Sequence, residues 1–253
     1  EGLRRFWRAV IPCIFDVRPA MLEAPGELAK CDQYILAIHP HGVLSLDHLL
    51  TVAGFDQRLE QVLPQARRSA LSAGVLFKIP LLREALLWVG AVDAARKTAS
   101  RCLKEGLSLS VVPGGEREQL LAQRGPIEQV VLERRQGFVK LALQHGVPLV
   151  PVYCFGEVQL YHQSAFLMSC RSWVQRRFGV ALVMPYGPWG VPWRHFSTPV
   201  RLVVGAPIEV PKILEPSVDD VNAHHARYVA ALGKLFTTHK DAAGYGELQL
   251  QIV

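Results

Sequence analysis

Two histidines one residue apart, in His39-Pro40-His41-Gly42, end an uncharged apolar run over residues 34–38. A histidine near its ordinary pKa can act as a general base toward a hydroxyl, work that typically contributes about two to four orders of magnitude in rate. Pro40 fixes the backbone between the rings and Gly42 lacks a side chain, so the four residues read as a tight strand-to-helix turn. Such a turn holds imidazoles at a sheet edge within reach of substrate. A second chemical locus is Pro113-Gly114-Gly115, which closes another apolar run. Backbone N–H groups at such a loop can approach a phosphate or an oxyanion closely. Three residues further, Glu118 falls in the first turn of a following helix, where an acid complements the helix dipole.

Two rival chemistries are visible. Ala70-Leu71-Ser72-Ala73-Gly74 is a degenerate nucleophile elbow, which raises a serine hydrolase acting through Ser72, although the first glycine is missing. A metal site is the other rival. His39 and His41 stand two apart and His224-His225 are adjacent, but no carboxylate or cysteine spacing completes a ligand set, so no metal is expected.

The elements that must position these groups alternate. Strand patterns cover residues 34–38, 107–112, 127–132, 148–155, 181–186 and 200–205. Helical patterns cover 43–52, 76–88 with Pro80 near its start, 94–105 closed by Gly106, 116–123, 134–145 closed by Gly146, and 163–178. A long helix over 217–239 has Ser217 as N-cap and Asp219 and Asp220 in its first turn. Residues 148–155 lack the alternation of a half-exposed strand and are expected to be buried on both faces. This order predicts a single α/β domain, a mostly parallel central sheet flanked by helices, over residues 34–253. Residues 1–33 are expected to form an N-terminal segment, and residues 187–199 a long irregular loop suited to be a lid.

Half of the 253 residues are hydrophobic, 20% are charged and the formal net charge is +6, with a pI near 9.2. That balance admits anionic partners, but the cations are scattered through helical segments instead of forming an arm, which argues against nucleic acid. The five cysteines show no C-x-x-C spacing and read as reduced thiols facing the cytosol. The mean hydropathy of +0.17 is high, yet no run has the 18 or more uncharged apolar residues that a membrane span requires. Phe6 and Trp7, among Arg4, Arg5 and Arg8, suit a lipid interface.

Seven ordered blocks resemble the type-2 diacylglycerol acyltransferase family, which includes monoacylglycerol and wax-alcohol acyltransferases. They are YILAIHPHG at 34–42, FKIPLLR at 77–83, GAVDAAR at 90–96, VPGGERE at 112–118, RQGFVKLALQHG at 135–146, LVPVYCFGE at 149–157 and VVGAPI at 203–208. The resemblance implies a glycerolipid-acyltransferase-like fold and transfer of an acyl group from acyl-CoA to diacylglycerol or a related lipid alcohol. Acyl-CoA enters as a substrate, and no resident cofactor is implied. It further implies a membrane surface as partner, on the cytosolic face of the endoplasmic reticulum or a lipid droplet. The family is similar to acyltransferases with an H-x-x-x-x-D signature, but the nearest acid here, Asp47, lies six residues past His41. Glu118 is therefore expected to orient or charge-stabilise the base. His41 is favoured over His39 because it stands nearer the helix start. Gly42, Gly114 and Gly115 are candidates for the oxyanion, and Arg96, Arg135 and Lys140, with Arg134 beside them, for the CoA phosphates. A non-catalytic lipid-binding protein on the same scaffold is the remaining alternative. Family members carry an apolar hairpin before the first block; attachment here is expected to be peripheral, or the chain to be a truncated form.

Overall fold

The computed structural model describes residues 2–54, 56–63, 67–192 and 194–253. The chain opens on helix α1 (Gly2–Ile14), followed by two short strands, β1 (Asp16–Val17) and β2 (Met21–Leu22), and a helical turn, α2 (Pro25–Leu28). Strand β3 (Ile35–His39) leads to helix α3 (Leu46–Ala53) and then α4 (Gln57–Val62). Strand β4 (Arg68–Ser72), helix α5 (Leu82–Trp88), strand β5 (Ala91–Asp93) and helix α6 (Arg96–Lys104) come next. They are followed by β6 (Ser108–Val111), α7 (Gly115–Leu121), β7 (Ile127–Val130), α8 (Gly137–His145) and β8 (Leu149–Phe155). The remainder is β9 (His162–Gln163), α9 (Met168–Phe178), β10 (Pro185–Tyr186), β11 (Pro199–Val204), α10 (Val218–His239) and β12 (Gln249–Ile252).

The main sheet has the order β1-β11-β8-β3-β6-β4-β5, with β2 also paired to β11. Every pairing is parallel except that of β11 with β8. The fold is the α/β domain that the alternation predicts. Two apolar layers sandwich the sheet, and the alternation of β3 shows how. Ile35 and Ala37 face a core shared with Phe138, Tyr228 and Phe236, whereas Leu36 and Ile38 face one shared with Ile11, Leu46 and Leu50. All seven residues of β8 are buried, as its unbroken apolar pattern requires.

Several sequence-based boundaries shift for identifiable reasons. Residues 1–33 carry a helix, and β1 and β2 pair with β11, so this segment is built into the domain's own sheet. The side chain of Arg4 lies outside the described residues. Pro80 divides the helix expected over 76–88: residues 74–78 form a 3-10 turn, Leu81 takes φ +66, and α5 begins at Leu82. Ser45, at φ 53, delays the first helix from 43 to Leu46. Leu167, at φ 51, confines the helix expected over 163–178 to Met168–Phe178. The helix expected from 134 starts at Gly137, so Arg134 and Arg135 lie in the loop before it. The Ser72 segment is strand β4, and β5 and β12 are further strands that the apolar pattern did not reveal.

Helix α10 starts as its sequence dictates. The Ser217 hydroxyl accepts from Asp220 N–H at 3.1 Å, and the Asp220 carboxylate accepts from Ser217 N–H at 2.9 Å. Replacing Ser217 with Ala is expected to lower the unfolding free energy by about 1 kcal/mol, read from urea denaturation, with no loss of the fold.

Candidate active site

Strand β3 lies between β6 and β8, parallel to both. Their carboxyl ends therefore meet at one edge, and the loops that leave them must share one crevice. From β3 comes His39-Pro40-His41-Gly42, with a cis His39–Pro40 peptide; from β6 comes Pro113-Gly114-Gly115; from β8 comes Gly156-Glu157. Strands β4 and β5 end on the same side and contribute Ser72 and the approach to Arg96. The crevice opens into a cavity of about 830 Å3. His41, Ser45, His48, Gly115 and Gln119 line it, together with Ile35, Leu76, Leu109, Phe138, Leu141 and other apolar groups.

The two histidines have different fates. His39 ends β3 on the face of Ile35 and Ala37 and is fully buried. The Tyr228 hydroxyl donates to the Ala37 carbonyl at 3.1 Å, so the His39 Nε2–H donates to the Tyr228 oxygen, also at 3.1 Å. Burial pushes the His39 pKa down to about 3, and the ring is absent from the cavity wall. Its place is structural, which corrects the expectation that it assists the base. His41 is half-buried and faces the cavity. Ser45 Oγ donates to the His41 carbonyl at 3.2 Å and lies 3.1 Å from Nδ1, while Nδ1 is also 3.2 Å from the Gly42 carbonyl. This network assigns the proton to Nδ1, which donates to Gly42 O and Ser45 Oγ, and leaves Nε2 with a lone pair, 3.4 Å from Ser45 Oγ. Burial lowers the His41 pKa, so at neutral pH the ring is uncharged.

Glu118 acts on the backbone, not on the ring. Its fully enclosed carboxylate accepts the His41 N–H through one oxygen and the Val131 N–H, at 2.7 Å, through the other. Gly114 is held against it: a Cβ there would collide with the Glu118 carboxylate. Glu118 thus ties the β6 loop and the start of the β7–α8 connection to the turn that carries His41. Glu118, expected to orient or charge-stabilise the histidine, is therefore placed on the backbone of His41 and not on its ring.

Glu157, which sequence reasoning placed only inside a matched block, completes the turn from the other side. Its two oxygens accept Leu46 N–H at 3.0 Å and Asp47 N–H at 3.2 Å, capping α3. Gly42, at φ +62, packs directly on it, and any side chain at that position would overlap the Glu157 carboxylate. The available signal was the strand-to-Gly-Glu ending of residues 149–157; the partners 110 and 111 residues upstream were invisible. No hydrogen bond joins Asp47 to the His41 ring among the described residues: one oxygen accepts His48 N–H at 2.7 Å and the other has no hydrogen-bond partner there.

The cations expected for phosphate do gather. Arg96 at the start of α6, Arg134 and Arg135 before α8, and Lys140 within α8 all line the cavity. Arg96 also reaches Gln144 at 3.1 Å, and Arg135 approaches Glu116 at 3.8 Å. Gly115, at φ +56, is on the wall, whereas Gly42 and Gly114 lie behind it against carboxylates. Ser72 lines the cavity too, but no hydrogen bond joins it to a histidine among the described residues, and it ends a strand instead of an elbow. No group of His, Cys, Asp and Glu suited to a metal occurs among the described residues. The loop over 187–199 stays away from the cavity wall, pinned by Phe196 N–H to the Leu160 carbonyl at 2.8 Å; Trp193 lies outside the described residues.

The buried titratable groups make stability depend on pH in a definite way. Burial raises Glu118 and Glu128 to about 7 and Glu157 to about 8, so each contributes stability below its unfolded pKa that is lost as pH rises through the folded value. Burial lowers His39 and His48 to about 3, so each contributes stability above the unfolded value near 6.5 that is lost as pH falls. The two trends oppose each other below pH 6.5, and only the carboxylates act above it. Three carboxylates outweigh two histidines between about pH 4.5 and 6.5, so stability is expected to peak near pH 4.5 and to fall as pH rises, by on the order of 3 kcal/mol between pH 6.5 and 8, measured by urea denaturation.

A parallel sheet with a histidine-bearing turn, a glycine loop and clustered cations at its carboxyl edge defines a glycerolipid-acyltransferase type of fold. The chain superposes on the 1-acyl-sn-glycerophosphate (LPA) acyltransferase PlsC from Thermotoga maritima with a TM-score of 0.55 and 19% identity, over 94% of this chain and 78% of that one. The sequence profile of the diacylglycerol acyltransferase family matches residues 5–252, and the chain belongs to that acyltransferase family. Among its relatives, human 2-acylglycerol O-acyltransferase 3 is 33% identical over 96% of this chain and 76% of its own length. Human diacylglycerol O-acyltransferase 2 is 34% identical over 93% of this chain, which spans 64% of that protein. Human acyl-CoA wax alcohol acyltransferase 2 is 35% identical over 94% of this chain and 75% of its own length.

Proposed function

We propose that the protein moves a fatty acyl group from acyl-CoA to a lipid hydroxyl, diacylglycerol foremost, by direct transfer without an acyl-enzyme. The observation that carries this reading is the one cavity wall shared by His41, an apolar lining and four cations. Nε2 of His41 takes the acceptor's hydroxyl proton as the oxygen attacks the thioester carbonyl carbon. The tetrahedral oxyanion faces the backbone at Gly115. On collapse the C–S bond breaks and the proton passes from the imidazolium to the departing thiolate sulfur. Arg96, Arg134, Arg135 and Lys140 hold the CoA phosphates, and the apolar lining takes the chains.

Labelled acyl-CoA presented with diacylglycerol, monoacylglycerol and a long-chain alcohol in parallel, with products resolved by class, tests the reading. Label in triacylglycerol is the expected result; release of free fatty acid alone would refute it. Ser72→Ala is expected to keep transfer activity, because Ser72 has no base beside it. A dead variant would return the hydrolase reading.

A lipid surface is proposed as the site of work. No helix among the described residues is long and apolar enough to cross a membrane. Leu81 is 84% and Trp88 74% exposed, close in sequence to the cavity-lining Val75 and Leu76, and Lys78 and Arg83 lie beside them. Exposed Phe178 and Leu182 flank the cavity-lining residues 179–181 in the same way. Phe6 is exposed as expected, while Trp7 packs against the core. The double variant Leu81→Asp with Trp88→Asp is expected to reduce co-flotation with anionic vesicles; unchanged flotation would remove this surface from the proposal.

A further inference from the structure

Strands β8 and β11 are antiparallel neighbours, with Phe155 opposite Arg201. A short turn can join such a pair, yet residues 156–198 intervene and carry β9, α9 and β10. The sheet does not require this excursion, and its composition sets it apart. All 22 acids of the chain lie outside residues 158–208, whereas Arg171, Arg176, Arg177, Arg194 and Arg201 lie within them.

Helix α9 is also inverted in polarity. Its one buried residue is Arg171, whose guanidinium donates to the carbonyls of Ser164 and Leu182. Trp173 is 55% and Phe178 61% exposed, and their rings meet edge-on at 5.9 Å between centroids. The Arg177 guanidinium lies over the Phe178 ring at 5.4 Å, and Arg176 is exposed as well. Phe166 and Leu167 add exposed apolar surface at the start of the helix. A helix on a water-facing surface turns its apolar stripe inward. One that buries an arginine and presents aromatics among arginines marks an interaction surface.

The same excursion walls the cavity. Gly179, the C-cap of α9, lines it together with Val180, Ala181 and Val183, while Leu182 and Met184 are exposed. The bond from Arg171 to the Leu182 carbonyl fastens this segment to α9, so the helix surface and the cavity edge are joined.

Charge and position select the occupant. A second copy docked face to face would set arginines against arginines with no acid to answer them. Anionic headgroups complement the arginines, Trp173 suits the level between headgroups and chains, and the adjoining cavity is the one that the acyl-transfer reading fills with lipid. We infer that α9 and the segment through Met184 form a docking surface for an anionic lipid bilayer, on which the cavity edge at residues 179–183 rests. This names a further contact and the charge of the partner for the lipid-surface reading above, and it rests on that reading.

The test is flotation of the full chain with vesicles of phosphatidylcholine alone or of phosphatidylcholine with phosphatidylserine, in the absence of acyl-CoA. Wild type is expected to prefer the anionic vesicles. Arg176→Gln with Arg177→Gln should lower the partition coefficient on anionic vesicles roughly tenfold or more and leave that on neutral vesicles unchanged. Trp173→Ser with Phe178→Ser should lower both by roughly tenfold. All four side chains are exposed, so melting temperatures should match wild type. Wild-type flotation in both double variants overturns the inference; if Leu81→Asp with Trp88→Asp then loses flotation, the lipid-surface reading survives without α9. A wild-type chain that floats with neither vesicle overturns both. Loss of self-association instead of flotation in Trp173→Ser with Phe178→Ser assigns the face to a second copy and also overturns the inference.

Discussion

Replacing His41 with Ala is expected to lower kcat for acyl transfer by about two to four orders of magnitude while the protein stays folded. The ring is half-buried and its contacts are local, to Gly42 and Ser45. The groups that hold the turn, Glu118 on His41 N–H and Glu157 on the start of α3, act on backbone that the substitution leaves in place. Circular dichroism and cooperative unfolding should match wild type, so any lost activity is chemical. The pH profile gives a second reading. Because burial lowers the His41 pKa, the acid limb of kcat/KM should fall below the ordinary histidine value, with no loss from this group at pH 7. Wild-type rates in His41→Ala would remove the general-base mechanism. The equivalent change at His39 should act on stability instead, since that ring is packed on Tyr228 and away from the cavity.

Glu118→Ala is expected to damage both stability and activity. It strips the acceptor from two backbone donors, His41 N–H and Val131 N–H, and empties the space beneath Gly114. Each unpaired buried donor costs about 1–3 kcal/mol. Against this stands the relief of an enclosed carboxylate, whose pKa is raised to about 7. That relief is smaller than the loss, because both oxygens are used and the cavity adds to the cost. A net loss of about 2–5 kcal/mol follows, which in a chain of this size lowers Tm by roughly 10 °C. Where the variant remains folded, kcat should still drop about a hundredfold, because a turn released from its anchor misplaces the base. Full activity together with reduced stability would make Glu118 a purely structural acid and detach it from the site.

These two outcomes separate residues that the sequence could only group together. His39, His41 and Glu118 stood out alike, as unusual polar types beside apolar runs. Their chemistry was legible and their wiring was not. His39 lies on the inner face of β3 by the alternation of the strand, and the turn at Pro40 then carries His41 out to the cavity. Ser45 and His48 fell within a stretch legible only as helix, four and seven residues past His41. Arg96 and Arg135, thirty-nine positions apart, share a wall because β5 delivers α6 to the edge and the bond from Val131 N–H to Glu118 draws the β7–α8 loop to it.

What the sequence alone determined is what neighbours along the chain dictate. Residues 149–155 are apolar without alternation and form a strand buried on both faces. Ser217 with Asp220 caps a long helix, Gly106 and Gly146 close two others at positive φ, and the motif order identifies the family. Tertiary structure alone decided the sheet order β8-β3-β6 and, through it, which carboxylate meets which amide. A hydrogen bond from His41 to Glu118 spans 77 residues and one from Leu46 to Glu157 spans 111. Such pairs exist only because parallel strands bring their carboxyl ends into register at one edge, and no local pattern encodes that adjacency.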